Sequence, residues 1–506
     1  MQNPFRSSSN PQVILSASGF PLGNGVRSPS PAGNGSVSPL TWARAAALAT
    51  CLASAVVCWA DGDAPAEPSG TEAVIRACYA KAAVALSSGN AEEFTRFLAA
   101  DYIGPGGATR QAMQDGFTAL LARLAEPNAV CTVETVLATE QDALAAVRLE
   151  LMGFDTSLAL PVEQVWHELH RWQPIDGGWT LVRASTLAGA PVTGAEGAAY
   201  SDASTGMRVP VPTGWVAFPC ALTAGSQVTL VSQDLAVDLD VMATKLPQEM
   251  EPGYVALIGA RAMREAIPGY ELQDMAQTQL GEWPAVRTRS VYTRGGRTVQ
   301  ADGLLAVQGR HLYSVGVATC PAERARDYRA QTDQTTQAIQ WGVPRTGPLP
   351  APRGIVNDVR FFHEGLGLSA PIPEGWQATA GPFWSAEVVF EGVEGQARIV
   401  LGCRERPGGA TAEDVLNELD GAARAQASAF RQLSIEDTGL GEIPAVQSLS
   451  EFTVGETSRK RVLTCGVTGD LQVFVVCDAV PAAAFDRLES AFREFLQRVQ
   501  LRAQAQ

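Results

Sequence analysis

Apolar and polar positions alternate along this chain with two periods, and the change of period marks its elements. Between Thr71 and Ser88, the residues Val74, Ala77, Cys78, Ala82 and Ala85 recur at helical spacing and predict an amphipathic helix closed by Gly89 and Asn90. A second, shorter helix carries Phe94, Phe97 and Leu98 and leads into Asp101, Tyr102 and Ile103. Gly104 to Gly107 reads as a turn, and Arg110 to Ala125 as a third helix. The period then drops to two. Strands are predicted over 130–138, 142–152, 160–173 and 178–186, the last pair joined by the turn sequence IDGG at 175–178. Along the third of them Trp166, Glu168, His170 and Trp172 share one face, while His167, Leu169 and Arg171 share the other.

Downstream of residue 198 the pattern occurs twice. GMRVPVPTGW at 206–215 matches GLSAPIPEGW at 367–376, and LGEWPAV at 280–286 matches LGEIPAV at 440–446, offsets of 161 and 160 residues. As a third landmark, Cys320 and Cys477 each close an apolar strand eight residues before an aromatic, Tyr328 or Phe485. Each copy begins with a strand and a Pro-x-Gly-Trp turn, in which Pro sets φ and Gly accepts a positive φ. Strand pairs follow at 227–231 with 236–244, and at 385–390 with 397–403. Next comes a helix, near 253–266 or 412–429, the second opened by the capping-box pattern of Thr411 and Asp414. Strands flank Pro-Ala-Val, a hairpin turns at 308–310 or 468–470, and a last helix begins near Pro321 or Pro481. Each copy therefore reads as a twisted antiparallel sheet with helices packed on it, and the whole chain as α+β.

The Pro-x-Gly-Trp turns (Pro212, Gly214, Trp215; Pro373, Gly375, Trp376), the Gly-x-Pro-Ala segments and the terminal helix resemble the Mog1/PsbP-like superfamily over about 198–342 and 355–502. That resemblance implies binding or assembly factors without catalysis, with Trp215 and Trp376 as core anchors. Three helices followed by long strands that end in DGGWTLV at 176–182 resemble the NTF2-like (SnoaL-like) superfamily over 68–188. That resemblance implies a cone whose mouth can hold a small ligand or whose sheet can dimerise. Linkers are predicted at 187–199 and at 342–354, where prolines 344, 348, 350 and 352 cluster.

The N-terminal 60 residues differ in kind. Residues 1–40 are rich in Ser, Pro, Gly and Asn and predict disorder. Arg44 then precedes a run of small apolar residues, Ala45 to Ala60, ahead of the first acid, Asp61, which is the pattern of a secretory signal. An uncleaved anchor at 45–60 is the alternative. The expected setting is thus outside the cytoplasm, periplasmic or extracellular, or tethered to a membrane by that segment alone. Those 60 residues hold three arginines and no acid, so a net charge of −15 leaves −18 on the remainder. A body so acidic does not attract nucleic acid. Seven cysteines follow the signal, an odd number without Cys-x-x-Cys spacing, so one or two disulfides and buried free thiols are both open readings.

Catalytic signatures are missing: there is no Gly-x-Ser-x-Gly elbow, no phosphate loop and no His-Glu-x-x-His. Four histidines are present, and His167 and His170 lie three apart on a predicted strand, pointing to opposite faces, so they cannot chelate one metal. No metal or cofactor is expected. Candidate pocket residues are Tyr102, Trp166, Glu168, His170 and Trp172, because a histidine beside a carboxylate on an inward face can transfer protons. The reading that follows is an exported non-catalytic binding or assembly protein of the cell envelope, its partner a protein or a small molecule, with a homodimer as one form. The alternative is an NTF2-like enzyme of isomerase or cyclase type acting through His170 and Glu168.

Overall fold

The computed structural model describes residues 69–342 and 355–501, apart from a few short stretches of which 220–225 is the longest. The predicted leader and signal, Cys220 and the proline-rich linker lie outside the described residues. The rest is mostly sheet, in two large sheets and one of five strands, with helices packed on them.

The first unit opens with α1 (Ser69–Ser87), α2 (Ala91–Thr95), β1 (Leu98–Ile103) and α3 (Arg110–Leu121), followed by β2 (Leu124–Ala138), β3 (Ala143–Asp155), β4 (Leu160–Ile175) and β5 (Gly178–Thr186). Gly89, at φ +74°, ends α1, and the Asn90 side chain accepts the Glu93 N–H at 3.0 Å to start α2. The Thr109 hydroxyl caps α3 in the same way, at 3.2 Å from the Ala112 nitrogen. Asp176 and Gly177, both at positive φ, close the β4–β5 hairpin. The strands order as β1-β5-β4-β3-β2, with β1 parallel to β5 and the other neighbours antiparallel. The helices lie in the concavity of this curved sheet.

Three details differ from the sequence reading. The buried positions of α1 are Ile75, Tyr79, Ala82, Ala85 and Leu86, while Val74 and Ala77 face outward. Ala82 and Ala85 are thus on the predicted face, and the difference lies in the first turns, where the sheet takes the larger side chains Ile75 and Tyr79. Asp101 to Ile103 belong to strand β1, which a hydrogen bond from Leu181 N–H to the Phe97 carbonyl draws alongside β5. The third helix stops at Leu121, and β2 begins earlier than predicted, at Leu124.

The first repeat comprises β6 (Val192–Thr193), β7 (Ala199–Asp202), β8 (Met207–Pro210), β9 (Trp215–Pro219), β10 (Ser226–Ser232), β11 (Val237–Lys245), α4 (Pro252–Ala266), β12 (Glu271–Leu280), β13 (Trp283–Arg294), β14 (Arg297–Gln308), β15 (His311–Thr319) and α5 (Ala325–Gln337). The second comprises β16 (Ile355–Val356), β17 (Arg360–His363), β18 (Leu368–Pro371), β19 (Gln377–Phe383), β20 (Ala386–Glu391), β21 (Ala397–Glu405), α6 (Ala412–Gln426), β22 (Ala429–Leu440), β23 (Ile443–Val454), β24 (Thr457–Thr468), β25 (Leu471–Ala479), α7 (Phe485–Arg498) and β26 (Gln500–Leu501). Their sheets run β12-β13-β14-β15-β11-β10-β9-β6 and β22-β23-β24-β25-β21-β20-β19, the same order over seven strands, with β6 added at the edge of the first. Register confirms the duplication. Val237 pairs with Thr319 as Ala397 pairs with Ala479, and Gly303 pairs with Gly316 as Leu463 pairs with Val476. Every one of these pairs is 160 residues from its counterpart, so Cys320 corresponds to Val480 and not to Cys477. That third sequence landmark was three residues out of register, although the strands it marked do correspond. Trp215 is buried and Trp376 packs into its core, each edge-on to an aromatic of the terminal helix, Tyr328 or Phe492.

The six described cysteines downstream of the signal, Cys78, Cys131, Cys320, Cys403, Cys465 and Cys477, are free thiols. Of the two readings open for them, the described residues take the unbridged one.

The units share cores. Leu144, Ala146 and Leu169, on the outer face of the five-stranded sheet, pack with Val216, Phe218 and Val231 of the first repeat. At the other end the β3–β4 turn enters the second repeat. Asp155 holds this turn rigid, accepting from Ser157 N–H at 2.7 Å and Leu158 N–H at 2.9 Å. Arg461, fully buried, donates to the Ala159 and Leu158 carbonyls at 2.8 and 3.0 Å, and Arg459 donates to the Ser157 carbonyl at 3.0 Å. Buried Asp478 pairs with both guanidinium groups, bidentate to Arg461 at 2.7 and 2.8 Å and bonded to Arg459 at 3.2 Å.

Candidate functional site

The concave face of the five-stranded sheet carries an apolar lining with one continuous polar chain through it. Strand β4 presents Glu168, His170 and Trp172 inward, opposite the small residues Ala143, Ala145 and Val147 of β3. Small side chains there leave room for the ring and carboxylate beside them. Helix α1 brings Tyr79 down onto this face.

The geometry is specific. The Trp172 indole N–H donates to the Tyr79 oxygen at 2.9 Å, and the same oxygen lies 2.7 Å from His170 Nδ1. His170 Nε2 lies 2.7 Å from Glu168 Oε2. Tyr79 also stacks on the imidazole, with centroids 5.7 Å apart, and meets Trp172 edge-on at 5.4 Å. With Glu168 ionised, Nε2 carries a proton and donates it to the carboxylate. A neutral ring then accepts the Tyr79 hydroxyl proton at Nδ1, and the phenol oxygen still has a lone pair for Trp172. The Trp172 N–H, the Tyr79 hydroxyl, both His170 nitrogens and Glu168 Oε2 are thus each paired, which is what an apolar interior demands.

Burial pushes the Tyr79 phenol well above its ordinary pKa, against the opposing pull of the Trp172 N–H, so it stays a neutral donor. Tyr102 is pushed up in the same way, first by burial and then by the negative charge of Glu168. The Cys131 thiol is raised to about 12 by burial, which leaves it protonated and inert as a nucleophile. His170 and Glu168 keep side-chain exposures of 13% and 15%, whereas Tyr79 and Trp172 are closed off. The accessible end of the chain is therefore the imidazole–carboxylate end.

Of the five pocket residues read from sequence, Glu168, His170 and Trp172 come together in one network, and Tyr102 lies within electrostatic reach of Glu168. Trp166 does not join them. It packs tilted on Phe117, centroids 5.8 Å apart, in the cluster shared with the second repeat. Tyr79 was missing from the sequence reading because the first turns of α1 were assigned Val74 and Ala77 as their apolar face. Its signal was a lone aromatic at i+4 from Ile75 and i−7 from Leu86. His167 turns to the opposite face, as its spacing required. Among the described residues, no three His, Cys, Asp or Glu side chains converge as metal ligands, and no helix is long and apolar enough to cross a membrane.

No protein-family model matches this chain, and no curated protein matches it in sequence. Solved structures similar to parts of it include cyanobacterial PsbP (CyanoP) from Synechocystis, at 16% identity over 31% of this chain and 100% of the other, with a TM-score of 0.25. An NTF2-like protein from Cytophaga hutchinsonii is similar at 19% identity over 23% of this chain and 96% of its own, with a TM-score of 0.20. An NTF2-like superfamily protein from Salmonella enterica is similar at 11% identity over 23% and 90%, with a TM-score of 0.20.

Proposed function

We propose that this chain is an exported small-ligand-binding protein, in which an NTF2-like cone at 68–188 holds the ligand and two Mog1/PsbP-like repeats are non-catalytic modules that bracket it. One observation carries the reading: the Tyr79–His170–Glu168 chain sits inside an apolar interior with only its carboxylate end accessible. Such a site recognises a small, mostly apolar molecule with one hydrogen-bond donor for Glu168. The repeats fit a supporting role because their cores continue into the outer face and the β3–β4 turn of the cone. Export is part of the proposal and rests on the apolar run at 45–60.

A second reading is favoured by the position of His170 between a phenol and a carboxylate. That arrangement can hand a proton from ligand to Glu168 while His170 steadies the charge, which is general acid–base chemistry. The two readings part in one experiment. Fragments bearing both a hydroxyl donor and an acidic C–H, such as hydroxy-substituted cyclic ketones, are titrated into the protein in heavy water and followed by proton NMR. Binding with line broadening that Glu168→Gln weakens at least tenfold supports a ligand site, as expected from a charge-assisted bond of about 1.5–3 kcal/mol. Loss of the acidic hydrogen signal in wild type, abolished in Glu168→Gln, supports the enzyme. Binding that neither Glu168→Gln nor His170→Ala alters would remove the function from the cone.

A further inference from the structure

The 160-residue correspondence between the repeats exposes a difference at one place. In the second repeat the space between α6 and its sheet is filled by Leu416, Leu419, Leu463, Phe474 and Val476. The corresponding residues of the first repeat are Ala256, Gly259, Gly303, Ser314 and Gly316. Each is smaller than its counterpart, and three have no side chain. The backbone is otherwise the same: α4 and α6 have equal lengths, and the strands beneath them pair in the same register.

Truncation on this scale leaves a void unless the helix collapses onto the sheet, and it has not. A cleft with about 60 Å³ of internal space, open to solvent on one side, lies between α4 and strands β13 to β15. One wall is helical and includes Gly259, and the facing wall is sheet and includes Gly303 and Gly316. Glycine on both walls makes the gap a slot rather than a bowl. At Gly303 an added Cβ would meet the Thr288 hydroxyl at 2.5 Å, so that hydroxyl points into the space over the glycine. The Thr288 hydroxyl, unlike its backbone, makes no hydrogen bond among the described residues. The only carboxylate at the edge, Asp302, is already held by Arg289 at 2.7 Å and Gln300 at 2.6 Å.

We infer that this slot is a second ligand site, distinct from the cone, for a flat, uncharged apolar molecule of one or two rings bearing one hydrogen-bond acceptor. The glycine walls set the flatness and the apolar lining excludes charge, while the Thr288 hydroxyl over Gly303 supplies a donor. The second repeat is the built-in control, because its own leucines and valine occupy the volume the ligand takes in the first.

The test uses the full chain and the flat, uncharged two-ring fluorophore 6-propionyl-2-(dimethylamino)naphthalene, whose carbonyl is the hydrogen-bond acceptor and whose emission rises and shifts to the blue in apolar surroundings. Wild type is expected to give saturable one-to-one enhancement from the slot. Installing the residues of the second repeat on the helix wall, Ala256→Leu with Gly259→Leu, is expected to weaken that binding at least tenfold. These residues favour helix, so the fold should be retained and is checked by circular dichroism. Gly316→Val, on the opposite wall, is a second and independent block, and Glu168→Gln in the cone should leave the signal unchanged. Absence of saturable enhancement in wild type, or enhancement that survives both blocks in folded protein, would overturn the assignment.

Discussion

At the scale of single residues, Tyr79 joins a buried indole to the imidazole of the candidate site. Tyr79→Phe keeps the ring and its stacking but strands the Trp172 N–H in an apolar interior. The expected cost is about 1–3 kcal/mol, read as a lower urea midpoint at unchanged slope. A ligand bound at Glu168 should also bind more weakly, because His170 loses the partner that orients it. A second residue-scale expectation concerns His363, which is buried 3.8 Å from Glu387 in the second repeat, near the Cys403 thiol. Burial holds its pKa below the ordinary 6.5. The unfolded chain therefore takes up a proton first as pH falls. Stability from this group is complete above about 6.5 and is lost between there and the lower folded value. Denaturation midpoints measured from pH 7.5 to 5 should fall less steeply in His363→Phe than in wild type. Legibility at this scale was uneven. Glu168, His170 and Trp172 could be put on one face because strand period leaves no freedom. Tyr79 could not be joined to them, because its place depends on which residues in the first turns of α1 face the sheet.

At the scale of elements, the most consequential contact is the rigid β3–β4 turn against Arg459, Arg461 and Asp478. Burial alone would raise the Asp478 carboxyl. Arg461 and then Arg459 outweigh it and hold the group below the usual carboxylate range. Its contribution is thus present above about 3.9 and is lost only as pH falls through the lower folded value. Arg461→Ala removes the bidentate partner and two carbonyl contacts together, leaving the Ala159 and Leu158 carbonyls stranded and Asp478 held by Arg459 alone. The expected loss is about 3–5 kcal/mol by chemical denaturation. Arg461→Lys should not rescue it, since an ammonium cannot span the Asp478 fork and two carbonyls. Nothing in the sequence marked this contact. Arg459 and Arg461 occupy alternate positions of an ordinary strand, and their partners lie some 300 residues away along the chain. The element boundaries themselves were mostly legible, since Gly, Pro and the Thr411–Asp414 capping box mark them locally, and the capping box forms as predicted.

At the scale of the whole molecule, the five-stranded unit is wedged between the repeats, its outer sheet face against one and its β3–β4 turn against the other. Expressed alone, residues 69–188 would expose Leu144, Ala146 and Leu169 together with that turn. The isolated segment is expected to aggregate or to melt well below the full chain, which light scattering and thermal circular dichroism would show. A segment that stayed monomeric and equally stable would mean the shared cores contribute little. By itself the sequence determined the repeated pattern, most of the strands and helices and which residues of β4 share a face, because these follow from local period, turn chemistry and a constant offset. Tertiary structure alone decided that Tyr79 meets His170, that two arginines grip a turn of another unit, and that small-for-large replacements open a slot in the first repeat. Each of those depends on distances between residues far apart in the chain, and periodicity carries no information about such distances.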